Sequence, residues 1–216
     1  MAFTVVILSK NPDNLTPCVA AVMCQESWPD ILVVDDGLPL DWAPTNDEVE
    51  IIEGAKPFIF ARNVNRAIAR RPQKDIVLLN DDAILGTYSG FSLLERFSPI
   101  GIVAPSTNVT GQPLQRPEQA TKCGHRIVDK IPFVCVYIPR KVIDVVGLFD
   151  ERFTAYGWED NDYCRRVRNA GFSIVIDYSV FVDHGSLKSS FRGDPKRPAD
   201  IGPAAAIYRQ KWGDLT

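Results

Sequence analysis

The chain has 216 residues, 45% of them apolar and 24% charged. That balance excludes a disordered chain and predicts one compact unit, which would bury about 70% of its extended surface without a metal or disulfide to hold it together. Lys and Arg total 24 against 27 Asp and Glu, a formal net charge of -3, which removes the diffuse attraction for phosphate backbones that nucleic-acid binders use.

Mostly apolar runs such as Ile131 to Ile138 fall far short of the roughly 20 residues of a membrane-spanning helix. The opening Met1 to Leu8 has no basic leader and reads directly as a strand, so a cytoplasmic chain is expected. Five cysteines, Cys18, Cys24, Cys123, Cys135 and Cys164, form no CxxC pair, which fits free thiols in a reducing compartment and gives no support to structural zinc. Asn108-Val109-Thr110 is a glycosylation sequon that matters only in a secreted chain.

In chain order, Thr4 to Ser9 reads as a strand, Leu15 to Cys24 as a helix with Leu15, Val19, Val22 and Met23 on its apolar side, and Ile31 to Val34 as a second strand. Asp47 to Ile52 is a further strand candidate. Val64, Ala67 and Ile68 give Phe60 to Arg71 a helical stripe that Pro72 ends, and Ile76 to Leu79 has the wholly apolar pattern of a central parallel strand covered on both faces. Residues 1–85 thus read as a Rossmann-like half.

Beyond it, Thr87 to Phe97 is predicted helical, Ile100 to Ala104 a short strand, and Ser106 to Cys123 a long polar loop. Phe133 to Ile138 reads as a strand, Pro139 as the first residue of a short helix that Gly147 closes, and Glu159 to Ala170 as a helix stopped by Gly171. Ser173 to Val182 is a long strand, Gly185 to Pro203 a polar tail, and Ala204 to Trp212 a last helix. No linker divides the chain, so 1–216 is expected to be one domain, with residues 86–216 as its second half.

Three clusters bear chemistry. Val33-Val34-Asp35-Asp36-Gly37 ends a strand in acid; an Asp beyond a parallel strand can accept from a base or ribose, and reads equally as a turn or cap. No GxGxxG follows the first strand, which disfavours a dinucleotide-binding dehydrogenase. Leu78-Leu79-Asn80-Asp81-Asp82 runs a buried strand into an amide and two carboxylates. Desolvation and mutual repulsion make such a strand end costly unless donors or a hard divalent ion, Mg²⁺ or Mn²⁺, compensate it, with a helix cap and polar turn as the alternative.

The third cluster is Gly147 to Phe153 followed by Tyr156-Gly157-Trp158-Glu159-Asp160-Asn161-Asp162-Tyr163. Acids at a helix start complement its dipole. Trp158 also offers a flat apolar face to a sugar ring, and Asp160 a carboxylate for an alcohol proton. Of two histidines, His125 reads as structural. His184, past a strand and beside Gly185, is a candidate ligand, better for Mn²⁺ than for Mg²⁺. Trp42, Phe58 and Phe60 read as packing residues.

In this order the segments resemble the inverting family-2 glycosyltransferases of the GT-A fold. Val5 to Asn11 is similar to that family's first strand and nucleotide-contacting turn, Val33 to Gly37 to its VDDG, and Ala61-Arg62-Asn63 to its ARN helix start. Asn80-Asp81-Asp82 is similar to its DxD element, Gly147 to Phe153 to GLFDE, Trp158-Glu159-Asp160 to its ED motif, and Tyr208 to Gly213 to its closing helix. Asn80 stands where many members carry Asp, a pattern resembling the rhamnosyltransferase-like branch.

The resemblance implies an α/β GT-A fold, with a mixed central sheet flanked by helices. It implies metal-dependent transfer of a sugar from a nucleoside-diphosphate donor, UDP-sugar favoured, to a hydroxyl of a glycan or other acceptor. Leu8, Ser9, Lys10, Asp36, Arg62, Asn80 and Asp81 would contact the donor, Asp82 and His184 would hold Mn²⁺ or Mg²⁺, and Trp158 would meet the acceptor or sugar. Asp160 would be the general base, with Glu159 beside it in the catalytic ED pair. Two alternatives stand beside this reading. One is a catalytically silent nucleotide-sugar-binding protein. The other is a sugar nucleotidyltransferase, whose glycine-rich, lysine-containing N-terminal loop is missing here and is not replaced by Lys10 alone.

Overall fold

The computed structural model describes residues 3–26, 28–39, 42, 49–154, 157–189 and 201–213. Asp47 and Glu48 of the predicted third strand, Tyr156, and residues 190–200 of the polar tail lie outside the described residues.

The first half forms as its pattern dictates. Strand β1 (Phe3–Ser9) leads into helix α1 (Pro12–Met23), whose start is set by the Asn11 side chain accepting from the Asp13 amide at 3.0 Å and by Pro12, which has no N–H to leave orphaned. Strands β2 (Asp30–Asp35) and β3 (Val49–Glu53), helix α2 (Phe60–Arg70) and strand β4 (Asp75–Asn80) follow. Strands β3, β2, β1 and β4 lie side by side in that order, all parallel.

Alternate residues of these strands enter two separate cores. Val6, Leu8, Leu32, Val34, Ile76 and Leu78 pack with Val64 and Ile68 of α2, while Val5, Ile7, Ile31, Val33, Val77 and Leu79 pack with Leu15, Val19 and Val22 of α1. A strand covered on both faces has no polar face, hence its unbroken apolar run.

The second half reverses direction. Strand β8 (Cys135–Ile138) runs antiparallel to β4, so β4 is parallel on one side only and not the wholly parallel strand its composition predicts. Apolar composition reports burial of both faces and carries no information about a neighbour's direction. Next to β8 lies β6 (Gly101–Thr107), and parallel to β6 runs the long β9 (Ser173–Asp183). The short strands β5 (Ile84–Leu85) and β7 (His125–Ile127) both pair antiparallel with β9, completing a nine-stranded sheet among the described residues. At Gly101 the chains approach so closely that a Cβ would sit 1.9 Å from the Ser173 carbonyl oxygen, which only glycine permits.

Several expectations need adjusting. Helix α3 covers only Gly90–Glu95 of the predicted Thr87 to Phe97. The predicted loop begins inside β6 and contains two 3-10 turns, Pro113–Gln115 and Pro117–Gln119. His125 belongs to strand β7, not to a loop, because the β9 edge supplies backbone partners that no local pattern reveals. Pro139 precedes helix α4 (Arg140–Val146) as its N-cap, and Asp75 supplies the capping oxygen, accepting from the Arg140 amide at 2.6 Å.

Helices α5 (Glu159–Asn169) and α6 (Gly202–Trp212) are joined by a buried charge cluster. The fully buried Asp162 carboxylate accepts from Arg166 Nε at 2.9 Å and Trp212 Nε1 at 2.8 Å, and pairs with Lys211 Nζ at 2.8 Å. Lys211 also reaches Asp150 at 2.8 Å. Arg152, Lys211 and the Arg152 amide outweigh burial at Asp150 and hold its carboxyl well below the usual range.

Nearby, the buried Asn65 side chain accepts from the Phe149 amide and donates to the Phe149 carbonyl, both at 2.9 Å, tying the GLFDE segment to α2. Removing one member of a buried charge set leaves the others uncompensated. Asp162→Ala should therefore lower unfolding stability in denaturant titration by about 3 kcal/mol, and Trp212→Phe, which loses one bond, by about 1 kcal/mol.

Candidate active site

The parallel strands end level with one another, with Leu8 opposite Asn80 and Ser9 opposite Asp35. Their last residues therefore form a polar shelf at the carboxyl edge of the sheet, where open α/β sheets receive ligands. Leu8, paired with Val34 on one side and Asn80 on the other, places its side chain in the core. Ser9 Oγ donates to Asp81 Oδ2 at 2.7 Å, and half-buried Lys10 follows at once. Asn80 is held from behind, its amide donating to the Val134 carbonyl at 2.9 Å. Below it the buried Cys18 thiol meets the Asn80 carbonyl at 3.5 Å; burial, together with the nearby Asp81, Cys135 and Asp82, pushes its pKa up and keeps it protonated.

Asp82 and His184 meet although they are distant in sequence. Ile84 of β5 pairs with Asp183 of β9 in antiparallel register, so the chain just before β5 lies against the chain just after β9. Both side chains are nearly buried, and His184 Nε2 stands 3.2 Å from Asp82 Oδ1.

The other ring nitrogen, Nδ1, lies 2.8 Å from the Val109 carbonyl, and the His184 amide donates to Asn108 Oδ1 at 2.9 Å. A carbonyl can only accept, so Nδ1 carries the proton. Nε2 then faces the carboxylate either as a second N–H or as a lone pair, and what satisfies both groups is a positive charge between them, a proton or a metal cation. Asn80 Nδ2 approaches the same nitrogen at 3.5 Å. At Asp82 burial pushes the pKa up, but the bond and charge of His184 and a bond from Ser189 prevail, holding it below the ordinary carboxylate value.

A carboxylate and an imidazole fit Mn²⁺ well and Mg²⁺ less well. No group of three or more His, Cys, Asp and Glu side chains suited to a metal occurs among the described residues, so the remaining coordination positions would fall to ligand oxygens or water.

The VDDG turn divides its two acids. Asp35 Oδ1 accepts from the Gly37 and Leu38 amides at 2.6 and 2.7 Å, folding the turn, with Gly37 at φ +122°. Asp36 takes the shelf side, where Lys56 Nζ pairs with its carboxylate at 2.7 Å. Arg62 is paired too, its Nε 3.1 Å from Glu151 Oε2 of the GLFDE segment. Both of those side chains are more than a third exposed, and an exposed ion pair is weak enough for a phosphate to compete for the guanidinium. Asn65 Nδ2 donates to the other Glu151 oxygen at 3.0 Å; that bond, then Arg62, overcome burial and lower the Glu151 pKa.

Gly157 at φ +91° and Trp158 at φ +72° turn the chain into α5. A bulky residue in the left-handed region is strained, a condition that clusters at functional sites. The Trp158 ring leans on Tyr208, with centroids 4.9 Å apart, and packs partly into the small core of Phe153, Ala204 and Tyr208. It therefore has a packing role as well as a half-exposed surface.

Glu159 and Asp160 open α5, both half-buried. Burial raises the Asp160 pKa to about 6, against the pull of the Asn161 and Asp160 amides and of Lys130. Among the described residues no direct contact links Asp160 to Asp82 or His184. The structure thus brings together Ser9 with Asp81 and Asp82 with Asn80 and His184, and sets Asp36, Arg62, Trp158 and Asp160 on separate contacts. Sequence reasoning missed Asn65, Glu151, Lys56, Asn108 and Val109. Of these Glu151 lay inside the GLFDE segment, and Asn108 and Val109 lay in a sequon that pointed to a different chemistry.

No family model matches this chain, and no curated protein matches it in sequence. Among solved structures, GalNAc-T7 in complex with UDP, GalNAc and Mn²⁺ aligns with a TM-score of 0.69 at 14% identity, covering 85% of this chain and 44% of that one. The mannosyltransferase PcManGT from Pyrobaculum calidifontis, in complex with GDP-Man and Mn²⁺, aligns with a TM-score of 0.67 at 16% identity, covering 89% and 58%. The chain spans about half the length of these neighbours. It has the mixed α/β GT-A fold that they share.

The Asp160 shift also sets a stability prediction. A carboxyl with a folded-state pKa near 6 and an ordinary unfolded value opposes folding once ionised, and that cost grows as pH rises from about 4 to 6. Asp160→Asn should raise the melting temperature at pH 8, and the gain should vanish below about pH 4 in thermal scans.

Proposed function

We propose that this protein is a metal-dependent inverting glycosyltransferase that moves a sugar from a nucleoside-diphosphate donor to a hydroxyl of a glycan or other acceptor. The observation that carries the reading is the Asp82 and His184 pair, which lies at the carboxyl edge of the sheet, with the imidazole held by Val109 through Nδ1 and turning Nε2 to the Asp82 carboxylate. Similarity of fold to two Mn²⁺ complexes, one with UDP and GalNAc and one with GDP-Man, supports the use of a metal and a nucleoside-diphosphate donor. The family-2 motifs favour a UDP-sugar. In this reading all 216 residues act as one cytoplasmic domain, with 1–85 serving the donor and 86–216 the acceptor.

Asp36 accepts from the base, and the turn Leu8, Ser9 and Lys10 lines its pocket. Arg62 leaves Glu151 for the diphosphate, while Asn80 and Asp81, the latter oriented by Ser9, meet ribose or sugar. A Mn²⁺ or Mg²⁺ ion held by Asp82 and His184 would neutralise charge on the leaving diphosphate. Trp158 presents its half-exposed face to a sugar ring, and Glu159 stands beside the base.

Asp160 takes the proton of the acceptor hydroxyl as that oxygen bonds to the anomeric carbon and the bond from carbon to diphosphate oxygen breaks. Nucleoside diphosphate leaves, and the anomeric configuration inverts. A pKa near 6 suits this task, since the base is ionised at neutral pH and still basic enough to share a proton in the transition state.

Thermal-shift titration with a panel of sugar nucleotides, with and without Mn²⁺, identifies the donor, because a ligand of the folded state raises apparent stability. Asp82→Ala should lose the Mn²⁺-stimulated part of that binding, and unchanged stimulation would overturn the metal assignment. Asp160→Asn should keep donor binding and lose about 10²- to 10⁴-fold in transfer rate. In the wild type kcat/KM should climb through about pH 6, a limb the variant lacks. NMR of the product anomer tests inversion, and a protein that binds donor but neither transfers nor hydrolyses it is a silent binder.

A further inference from the structure

Beyond the shelf the chain forms a groove of about 390 Å³, lined by Gln112, Leu114, Arg126, Ile127, Val128, Asp129 and Lys130. Its volume lies in the range of small-ligand sites. One wall is aliphatic, with Ile127 62% exposed and Leu114 half-buried.

The other wall is cationic. Arg126 turns its Nε to a buried position where it meets no partner among the described residues, and Nη2 makes only a long bond of 3.4 Å to the Gln119 carbonyl. The two terminal nitrogens thus keep N–H groups for oxygens brought by a ligand. Lys130 is exposed and makes no ion pair among the described residues; Asp129, 82% exposed, adds one carboxylate to the same lining, in a loose pair with Arg168 at 3.4 Å.

The groove borders α5, the helix of the proposed base: its Asp129 pairs with Arg168 of that helix. Past Lys130 comes Ile131, whose carbonyl receives the Cys164 thiol at 3.7 Å. Cys164 is one helical turn beyond Asp160, on the same face of α5.

Resting on the reading of the shelf and Asp160 as a transferase site, we propose that this groove is the acceptor subsite and selects an anionic sugar, its carboxylate or phosphate held by Arg126 and Lys130 and its ring lying on Ile127 and Leu114. Arginine matches such oxygens with two parallel N–H groups, and lysine adds a point charge.

The test uses the full chain without donor or metal. Binding of D-glucuronate, glucose 6-phosphate and glucose is followed by NMR titration on wild type, Arg126→Gln, Lys130→Gln and the charge-conserving Arg126→Lys, with thermal melts to confirm folding. The expected result is at least about tenfold tighter binding of one or both acidic sugars than of glucose. That preference should be lost in Arg126→Gln, weakened in Lys130→Gln and partly kept in Arg126→Lys, each tenfold corresponding to about 1.4 kcal/mol.

Preference for glucuronate alone identifies a uronic acid, and for glucose 6-phosphate alone a phosphosugar. Equal binding of all three, or a preference that survives Arg126→Gln in a folded variant, overturns the proposal. The readout involves no turnover, so failure here leaves the transferase reading standing, and failure of transfer leaves this binding measurable.

Discussion

A carboxylate and an imidazole 3.2 Å apart, with the far nitrogen of the ring already committed to a backbone carbonyl, are satisfied together by a positive charge between them. The second half of the sheet is arranged around that contact. β9 must run far enough to carry His184 to the carboxyl edge of the first four strands, and a bulge lets it do so. Its register against β6 jumps from Pro105 opposite Asp177 to Ser106 opposite Phe181. The buried Asp177 carboxylate, gripped by Arg96 at 2.9 and 3.0 Å and by the Ser179 amide and hydroxyl, holds the bulge in place. The two-residue strand β5 then fixes which residue before it faces His184.

A second set of constraints places the acids of α5. Asp162 gathers Arg166, Lys211 and Trp212, so the closing helix is fastened to the same turn of α5 that presents Glu159 and Asp160. Asn65 fastens the GLFDE segment to α2 and at the same time orients Glu151 toward Arg62. Helices α2, α5 and α6 and the segment Gly147 to Phe153 are thus fastened together through buried side chains. α5 has no side-chain cap, but its first-turn acids and last-turn arginines complement its dipole, and these contacts fix its position in the fold.

How much of this could be read from the sequence varied with the range of the cause. The apolar runs of β1, β2 and β4 and the 3.6-residue stripe of α2 are consequences of burial next to the residue concerned, and they were legible. The antiparallel neighbour of β4, strand β7 and the bulge depend on partners remote in the chain and left no local trace. In VDDG the acids were visible but their division of labour was not, because which Asp folds the turn depends on where two amides point. Asn65 looked like any polar residue on a helix, and its buried pairing with Phe149 belongs to packing alone. Trp158 carried the opposite ambiguity: its strained φ and its contact with Tyr208 give it a packing role that composition could not distinguish from sugar stacking.

The order of strands and helices in the first half, the acidic strand ends, and the candidacy of Asp82, Asp160 and His184 were determined by the sequence itself, since each rests on residue type and short-range periodicity. Only the tertiary structure decided that Asp82 meets His184, that Nδ1 of that histidine is occupied, that burial raises the pKa of Asp160, and that Arg126 lines a groove. The physical reason is common to all four: desolvation and hydrogen-bond pairing are properties of what surrounds a group in space, and the chain reports its surroundings only as far as its next few residues.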